Sequence, residues 1–328
     1  MTGSAQAISA PIALSCGEPA GIGPELAQKA WEALGTSLPF FWIGDPAHLP
    51  AGFPVTVIER PDQAVGASSL PVLPHPMPSM LTAGVPNPAH AQGVIDAIAR
   101  GVDLAMSGAA SALCTAPIHK KALQDGAGFT YPGHTEYLAA LTGTRRVVMM
   151  LASDQLRVVP TTIHLPLRDV PAALTPDLLA DTIRITHAGL IRDFGLGTPR
   201  IAIAGLNPHA GEGGKMGHEE LDLIAPVLEA LRSEGLDLIG PMPADTMFHA
   251  AARAGYDAAI CMYHDQALIP IKTLDFDRGV NVTLGMPIVR TSPDHGTAFD
   301  IAGRGIANPT SLIEALKMAA RMAAARAG

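Results

Sequence analysis

Three histidines, His164, His209 and His264, each follow closely on a short apolar run. Neutral imidazole is the commonest ligand for Zn²⁺ and suits other divalent transition metals. Three protein ligands with coordination positions left open make a catalytic rather than a structural metal site. No local motif joins the three, so each one alone reads more readily as a hydrogen-bonded residue at a strand end, and only the recurrence at three strand ends brings the ligand reading level with it. Asp265 follows His264 directly, and Asp245 lies in another turn before a helix. Either carboxylate can orient a ligand imidazole from behind.

A second set suits an anion. His134 and Thr135 open a helix, and Lys272, Asn281 and Arg290 fall in a stretch with few other charges. A phosphorylated ligand needs cationic or N–H donors. Lys272 alone reads as a solvated surface lysine. Arg290, between Val289 and Thr291, is expected to be partly buried and therefore to have a partner. A third segment, Gly17-Glu18-Pro19-Ala20-Gly21-Ile22-Gly23-Pro24-Glu25, follows the first apolar run and opens a helix. It fails the G-x-G-x-x-G dinucleotide fingerprint because Leu26 stands at the third glycine position. Two uses stay open for it: a tight turn that needs glycine dihedrals, or a row of backbone N–H groups facing an anion.

These residues need elements to position them. Short apolar runs read as strands over Ile12–Ser15, Phe40–Ile43, Val55–Ile58, Ala110–Cys114, Val147–Leu151, Val158–Thr162, Ile201–Ala204, Leu236–Ile239, Ala258–Met262 and Val280–Leu284. Helical periodicity covers Pro24–Leu34, Ala89–Ala105, Pro176–Phe194, Glu219–Arg232 and Ser311–Ala325. Strands alternating with helices imply an α/β fold with parallel pairing and right-handed crossovers. Some connections are short enough for hairpins, so mixed, largely parallel sheets are expected. Pro61–Pro88 reads as an irregular excursion, and a domain boundary is expected near Gly126–Gly133. Ligands of open α/β sheets collect beyond the carboxyl ends of strands. The runs ending near 162, 204 and 262 lead into His164, His209 and His264-Asp265, and the run ending at 114 leads into Thr115-Ala116-Pro117-Ile118-His119-Lys120.

Composition bounds the function classes. A chain of 328 residues, 48% hydrophobic and 16% charged, can bury a sizeable core, as two domains or one large unit. A net charge of −8, with no Lys/Arg run longer than two, excludes a basic nucleic-acid face. Cys16, Cys114 and Cys261 fit neither a zinc finger nor a disulfide framework and are expected to be reduced, partly buried thiols. No apolar stretch is long enough to span a bilayer, and no Lys or Arg precedes the first apolar run, so the cytoplasm is the expected compartment.

Eight segments then carry a resemblance: GEPAGIGPE (17–25), TAPIHK (115–120), GHTEYLA (133–139), TTIHLPLRD (161–169), GLNPHAGEGG (205–214), GPMPADTMF (240–248), MYHDQALIPIK (262–272) and GVNVTLGMPIVRTSPDHGTAFDIAGRG (279–305). From about residue 12 to 320 the chain resembles the 4-hydroxythreonine-4-phosphate dehydrogenase family of vitamin B6 (pyridoxal phosphate) biosynthesis. The resemblance implies an isocitrate/isopropylmalate dehydrogenase-like fold of two α/β/α subdomains. Residues 1–130 with about 305–328 are expected to form the first. Residues 131–304 are expected to form the second, with the dimer interface and most ligands, and the active site in the cleft between them. It implies a homodimer with shared active sites, in which His164, His209 and His264 bind one divalent metal and His134, Thr135, Lys272, Asn281 and Arg290 contact the phosphorylated substrate. The run from His295 to Pro309 is similar, more distantly, to the adenosine-binding loop of isopropylmalate dehydrogenases. By that analogy His295, Gly296, Asp300 and Asn308 contact the nucleotide, and the Asp300 carboxylate favours NAD over NADP.

The implied reaction is NAD-linked oxidation of 4-phosphooxy-L-threonine, then decarboxylation to 3-amino-2-oxopropyl phosphate. Histidine ligands favour Zn²⁺, Co²⁺ or Ni²⁺ over Mg²⁺ by intrinsic chemistry, which leaves the physiological metal, zinc, cobalt or magnesium, open. Asp245, Asp265 and Lys120 are the candidate bases. Two alternatives stand beside this reading. One is a related dehydrogenase of D-threonate or D-erythronate 4-phosphate, or of an aromatic cis-dihydrodiol. The other is a three-histidine metallohydrolase, which would need no nucleotide loop.

Overall fold

The computed structural model describes residues 10–78 and 80–328. They fall into two compact units, one within Met1–Arg146 and Met286–Gly328, the other Val147–Gly285. Residues 131–146 and 286–304, expected in the second unit, lie in the first. The reason is local packing: the helix at 134–141 packs on the helix at 91–106, and the strand at 290–293 pairs with the one at 112–115. The boundary expected near Gly126–Gly133 therefore falls after Arg146.

The first unit is built on strands β1 (Ile12–Ser15), β2 (Phe40–Gly44), β3 (Val55–Val57), β4 (Leu70–Pro74) and β5 (Ala112–Thr115), with helices α1 (Gly23–Leu34), α2 (Ala91–Met106), α3 (Lys120–Ala127) and α4 (His134–Leu141). The second unit then contributes β6 (Val148–Ala152), β7 (Arg157–Pro160), α5 (Val170–Ala173), α6 (Pro176–Phe194), β8 (Arg200–Ala204), α7 (Ala225–Ser233), β9 (Asp237–Met242), α8 (Ala250–Arg253), β10 (Ala258–Cys261), α9 (His264–Asp275) and β11 (Val280–Leu284). The chain returns to the first unit with β12 (Arg290–Pro293) and α10 (Thr310–Ala327).

In the first unit the strand order is β3-β4-β2-β1-β5-β12, with every pair parallel. Phe40, Phe41, Trp42 and Ile43 of β2 are all fully buried, as a parallel strand covered on both faces requires. Side chains of this size each stabilise the fold by roughly 1.5–3 kcal/mol through burial. Helix α10 packs on β12 and β5, and α2 on β1, β2 and β5. Pro61–Pro88 is less irregular than its composition suggests: it contains a 3₁₀ turn, Pro61–Ala64, and the buried strand β4, whose two prolines hid its apolar run.

In the second unit the order is β11-β6-β7-β10-β8-β9. The hairpin β6–β7 and the pair β11–β6 are antiparallel, and β7, β10, β8 and β9 run parallel, so this sheet is mixed. Helix α6 is delimited by its own sequence. Thr175 Oγ1 accepts from the Leu178 N–H, Pro176 takes the first position and Gly195 ends it in the left-handed region. Leu151, Val158, Ala259, Cys261, Leu268 and Ile271 share one apolar core, which seats α9 against β7 and β10. Among the described residues no helix is long and apolar enough to cross a membrane.

Candidate active site

The second unit delivers the three histidines to one sheet edge. Strands β7, β10 and β8 are adjacent and parallel, and His164, His264 and His209 follow their carboxyl ends. Pairing continues past β7: Thr161 N donates to Cys261 O at 2.8 Å, and both N and Oγ1 of Thr162 donate to Met262 O, at 3.1 and 2.8 Å. That continuation brings the rings of His164 and His264 within 5.7 Å, centroid to centroid. They line a cavity of about 270 Å³ with Ile163, Tyr263 and Asp265. The Nδ1 of His264 lies 2.8 Å from Asp265 Oδ1, which leaves the ring's Nε2 outside that contact. Among the described residues no three His, Cys, Asp or Glu side chains gather closely enough to hold a metal within one chain. The structure thus pairs His164 with His264 and leaves His209 outside the pair.

His209 rides on a loop of unusual backbone. Residues 209 to 213 all have positive φ, including the non-glycines His209 (53°), Ala210 (50°) and Glu212 (42°). Each non-glycine there costs of order 1–3 kcal/mol, a cost that clusters at functional segments. Two side chains that the sequence reading passed over hold the loop. Glu220, buried in the π-helical turn Glu220–Ile224, accepts from Asn207 N at 2.8 Å and from Asn207 Nδ2 at 3.0 Å. Single π-turns of this kind often mark functional sites. Glu219 accepts from the same Asn207 amide at 2.6 Å, a bond that holds its carboxyl below the ordinary range. Gln266 ties two of the strand ends together, accepting from Met262 N at 2.7 Å and donating to Gly205 O at 2.7 Å. The sequence singles out none of these supports, because the pairings of Asn207 with Glu220 and of Gln266 with Gly205 are supplied only by the fold.

In the first unit Arg290 opens β12 between Val289 and Thr291 and is buried, more deeply than the partial burial expected. Its Nη2 donates to Thr115 Oγ1 at 2.8 Å. Burial pulls the guanidinium down to about 10. His134 opens α4, and its buried Nε2 has no hydrogen-bond partner. Burial first, and the Arg290 charge second, push this imidazole well below its ordinary value, so it is neutral at physiological pH. A buried cation beside an unpartnered neutral imidazole suits an anionic group. Thr135 is half-buried beside His134. Lys272 and Asn281 belong to the second unit. Lys272 lies in the last turn of α9 with Nζ 5.7 Å from the Phe276 ring centre, and Asn281 is half-buried on β11.

The candidate bases differ. Asp265 is engaged with His264. Asp245 is exposed and lines a cavity of about 440 Å³ with Phe248, Tyr263, Gln266 and Ile269. Lys120 is exposed at the first position of α3. Of the nucleotide candidates, Asp300 and Gly296 are exposed, and His295 Nδ1 lies 3.0 Å from Gly296 O. The Asn308 side chain accepts from Thr310 N (3.0 Å) and Thr310 Oγ1 (2.7 Å), a turn that leads into α10. The three cysteines are free and buried, and burial raises Cys16 and Cys114 to about 12 and Cys261 further still.

Residues 39–319 match the family of pyridoxal phosphate biosynthetic protein PdxA. The chain belongs to that family. A protein of Roseobacter denitrificans named 4-hydroxythreonine-4-phosphate dehydrogenase is 68% identical over 319 residues, covering 96% of this chain and 98% of its own. Another of that name from Caulobacter vibrioides is 53% identical, covering 97% and 99%. The crystal structure of the 4-hydroxythreonine-4-phosphate dehydrogenase of Klebsiella pneumoniae superposes with a TM-score of 0.89 at 37% identity, over 96% of this chain and all of that one. A terephthalate 1,2-cis-dihydrodiol dehydrogenase from Burkholderia xenovorans is more distant, with a TM-score of 0.67 at 26% identity, over 95% of this chain and 98% of that one. This PdxA-family chain is therefore an oxidoreductase, and the metallohydrolase alternative falls.

Proposed function

We propose that the chain oxidises 4-hydroxythreonine 4-phosphate with NAD and decarboxylates the product to 3-amino-2-oxopropyl phosphate, as a step of pyridoxal phosphate synthesis. The observation that carries the choice of substrate is the buried Arg290 beside the unpartnered Nε2 of His134, in a chain of this family. A cis-dihydrodiol without a charged substituent has no anion to place against them.

Arg290, His134, Thr135, Lys272 and Asn281 bind the phosphate in this reading. His134 acts neutral, donating an N–H to a phosphate oxygen and adding no charge to the one Arg290 supplies. The phosphate is remote from the reacting carbon, so its binding energy serves to position that carbon. His164, His209 and His264 hold a divalent metal shared between the subunits of a homodimer, which accounts for two of the three imidazoles standing together within one chain. That metal would supply Lewis acidity toward the substrate hydroxyl, and the nicotinamide cofactor would supply the hydride acceptor. Asp265 orients His264, which leaves Asp245 or Lys120 to take the hydroxyl proton. Asp300 would accept from the ribose hydroxyls of a bound nucleotide and so favour NAD over NADP. The reaction runs in the cytoplasm.

The test is NADH formation from 4-hydroxythreonine 4-phosphate by enzyme treated with chelator and then supplied with Zn²⁺, Co²⁺ or Mg²⁺. Metal-dependent NADH formation is the expected result. NADH formation only from threonate or erythronate 4-phosphate, or only from a cis-dihydrodiol, would replace the substrate. NADH formation undiminished by chelator would remove the metal.

A further inference from the structure

The glycine-rich segment Gly17–Glu25 has an ambiguous sequence: it opens a helix as an anion-binding turn would, yet lacks the dinucleotide fingerprint. Three consecutive backbone donors at its centre are already engaged. Ala20 N donates to Glu18 Oε1 (3.1 Å), Gly21 N to Glu18 O (3.0 Å) and Ile22 N to Thr297 O (3.0 Å). A Cβ on Gly21 would meet Thr297 O at 2.8 Å, so the 295–309 loop lies directly on the turn. The first turn of α1 also carries a carboxylate, Glu25, which repels an anion there.

That carboxylate is where the loop is held. Glu25 is buried, 6% exposed. Its Oε1 accepts from Ala307 N at 2.8 Å and its Oε2 from Gly305 N at 3.1 Å. Lys29, one turn on, pairs with Glu25 Oε1 at 3.0 Å and donates to Gly305 O at 3.0 Å and Ala307 O at 2.7 Å. Two side chains on successive turns of α1 thus engage both the amide and the carbonyl of two loop residues. Charge-assisted bonds to backbone are the strong kind. Elsewhere the same loop is tied by the His119 ring, which stands edge-on to Phe299 at 5.0 Å. A cavity of about 450 Å³ borders Glu25, Lys29, Gly303 and Gly305.

We propose that Glu25 and Lys29 are positioning residues for the nicotinamide nucleotide: they clamp residues 305–307 and thereby hold the 295–309 loop in its nucleotide-binding shape. This rests on the reading that the loop takes the adenosine half of NAD. The clamp touches no reacting atom. Its loss weakens NAD without altering the chemical step or the affinity for the phosphorylated substrate.

The experiment compares Glu25→Gln, Lys29→Met and Asp300→Ala with the unaltered enzyme. NAD binding is measured by calorimetry, KM and kcat for both substrates are measured, and limited trypsin cleavage after the exposed Arg304 is followed. Glu25→Gln keeps the size but cannot accept from both amides while pairing with Lys29. Lys29→Met acts on a side chain that is a quarter exposed and tests the clamp should the Glu25 variant not fold. The expected result for both is an NAD Kd raised about tenfold, kcat and the substrate KM within about twofold, and faster cleavage at Arg304. NAD affinity lost in Asp300→Ala but kept in both clamp variants would overturn the clamp and leave the loop assignment standing. NAD affinity unchanged in Asp300→Ala would overturn the loop assignment and the clamp with it.

Discussion

The Arg290 guanidinium donates to the Thr115 hydroxyl at 2.8 Å, reaching from the first residue of β12, which pairs with Leu113, to the last residue of the parallel β5. The bond aims a buried cation from a position where no surface lysine could substitute. Arg290→Ala is expected to lower kcat/KM by about a hundredfold, mainly through KM, since a buried charged contact is worth several kcal/mol. Arg290→Lys retains charge but loses the planar fork, and intermediate loss is expected. Thr115→Val should cost about five- to tenfold by letting the guanidinium turn. Steady-state kinetics in the phosphorylated substrate check all three, and catalytic efficiency unchanged in Arg290→Ala would remove Arg290 from the site.

His134 sets an acid limit on stability. Its folded-state pKa lies well below the ordinary 6.5, because burial and then the Arg290 charge disfavour the imidazolium. The unfolded chain therefore binds the proton first. Stability is unaffected above about pH 6.5 and falls as pH drops below it, by at most about 1.4 kcal/mol per pH unit from this group. His134→Gln should flatten that limb of the stability profile. Denaturant melts at pH 7.5 and 5.5 measure it (roughly one unit either side of the free imidazole value), and parallel profiles for the two proteins would contradict the assignment.

Asp265 lies 2.8 Å from His264 Nδ1. Replacing such a carboxylate typically weakens metal binding about 10- to 100-fold. Asp265→Asn is expected to do so in a Zn²⁺ or Co²⁺ titration, with His164→Ala losing more. Were Asp265→Asn to bind metal normally yet lose kcat, the carboxylate would instead be the base.

Gly17 has φ of 65°, and a Cβ there would meet Pro117 O at 2.4 Å. Gly17→Ala combines left-handed strain with a backbone clash, so a loss of about 2–4 kcal/mol and several degrees of Tm is expected. A thermal melt decides it, and a Tm within about a degree of the unaltered protein would mean the turn relaxes at little cost.

Much of this architecture was legible because parallel strands buried on both faces are continuous apolar runs. Phe40–Ile43 and Ile201–Ala204 announce themselves in that way. What escaped was polar or interrupted. Strand β12, Arg-Thr-Ser-Pro, is buried without an apolar residue, and β4 carries two prolines. Helix α9 contains Pro270, which masks its period. At the site, strand-end logic placed the histidines past their strands, and the position of Arg290 between Val289 and Thr291 pointed to part of its burial. The supports, Glu220 for Asn207 and Glu25 for Gly305, were not readable. Each is defined by a partner whose position only the fold supplies, in the second case 280 residues away.

The three buried thiols have a practical consequence. Cys16, Cys114 and Cys261 are all shielded from solvent and held protonated well above neutral pH. A thiolate is the reactive species toward alkylating reagents, so the native chain offers them almost nothing. A single cysteine engineered onto the surface would be the one labelling handle, and fluorophores or spin probes could be attached at chosen positions without first stripping the natural cysteines out.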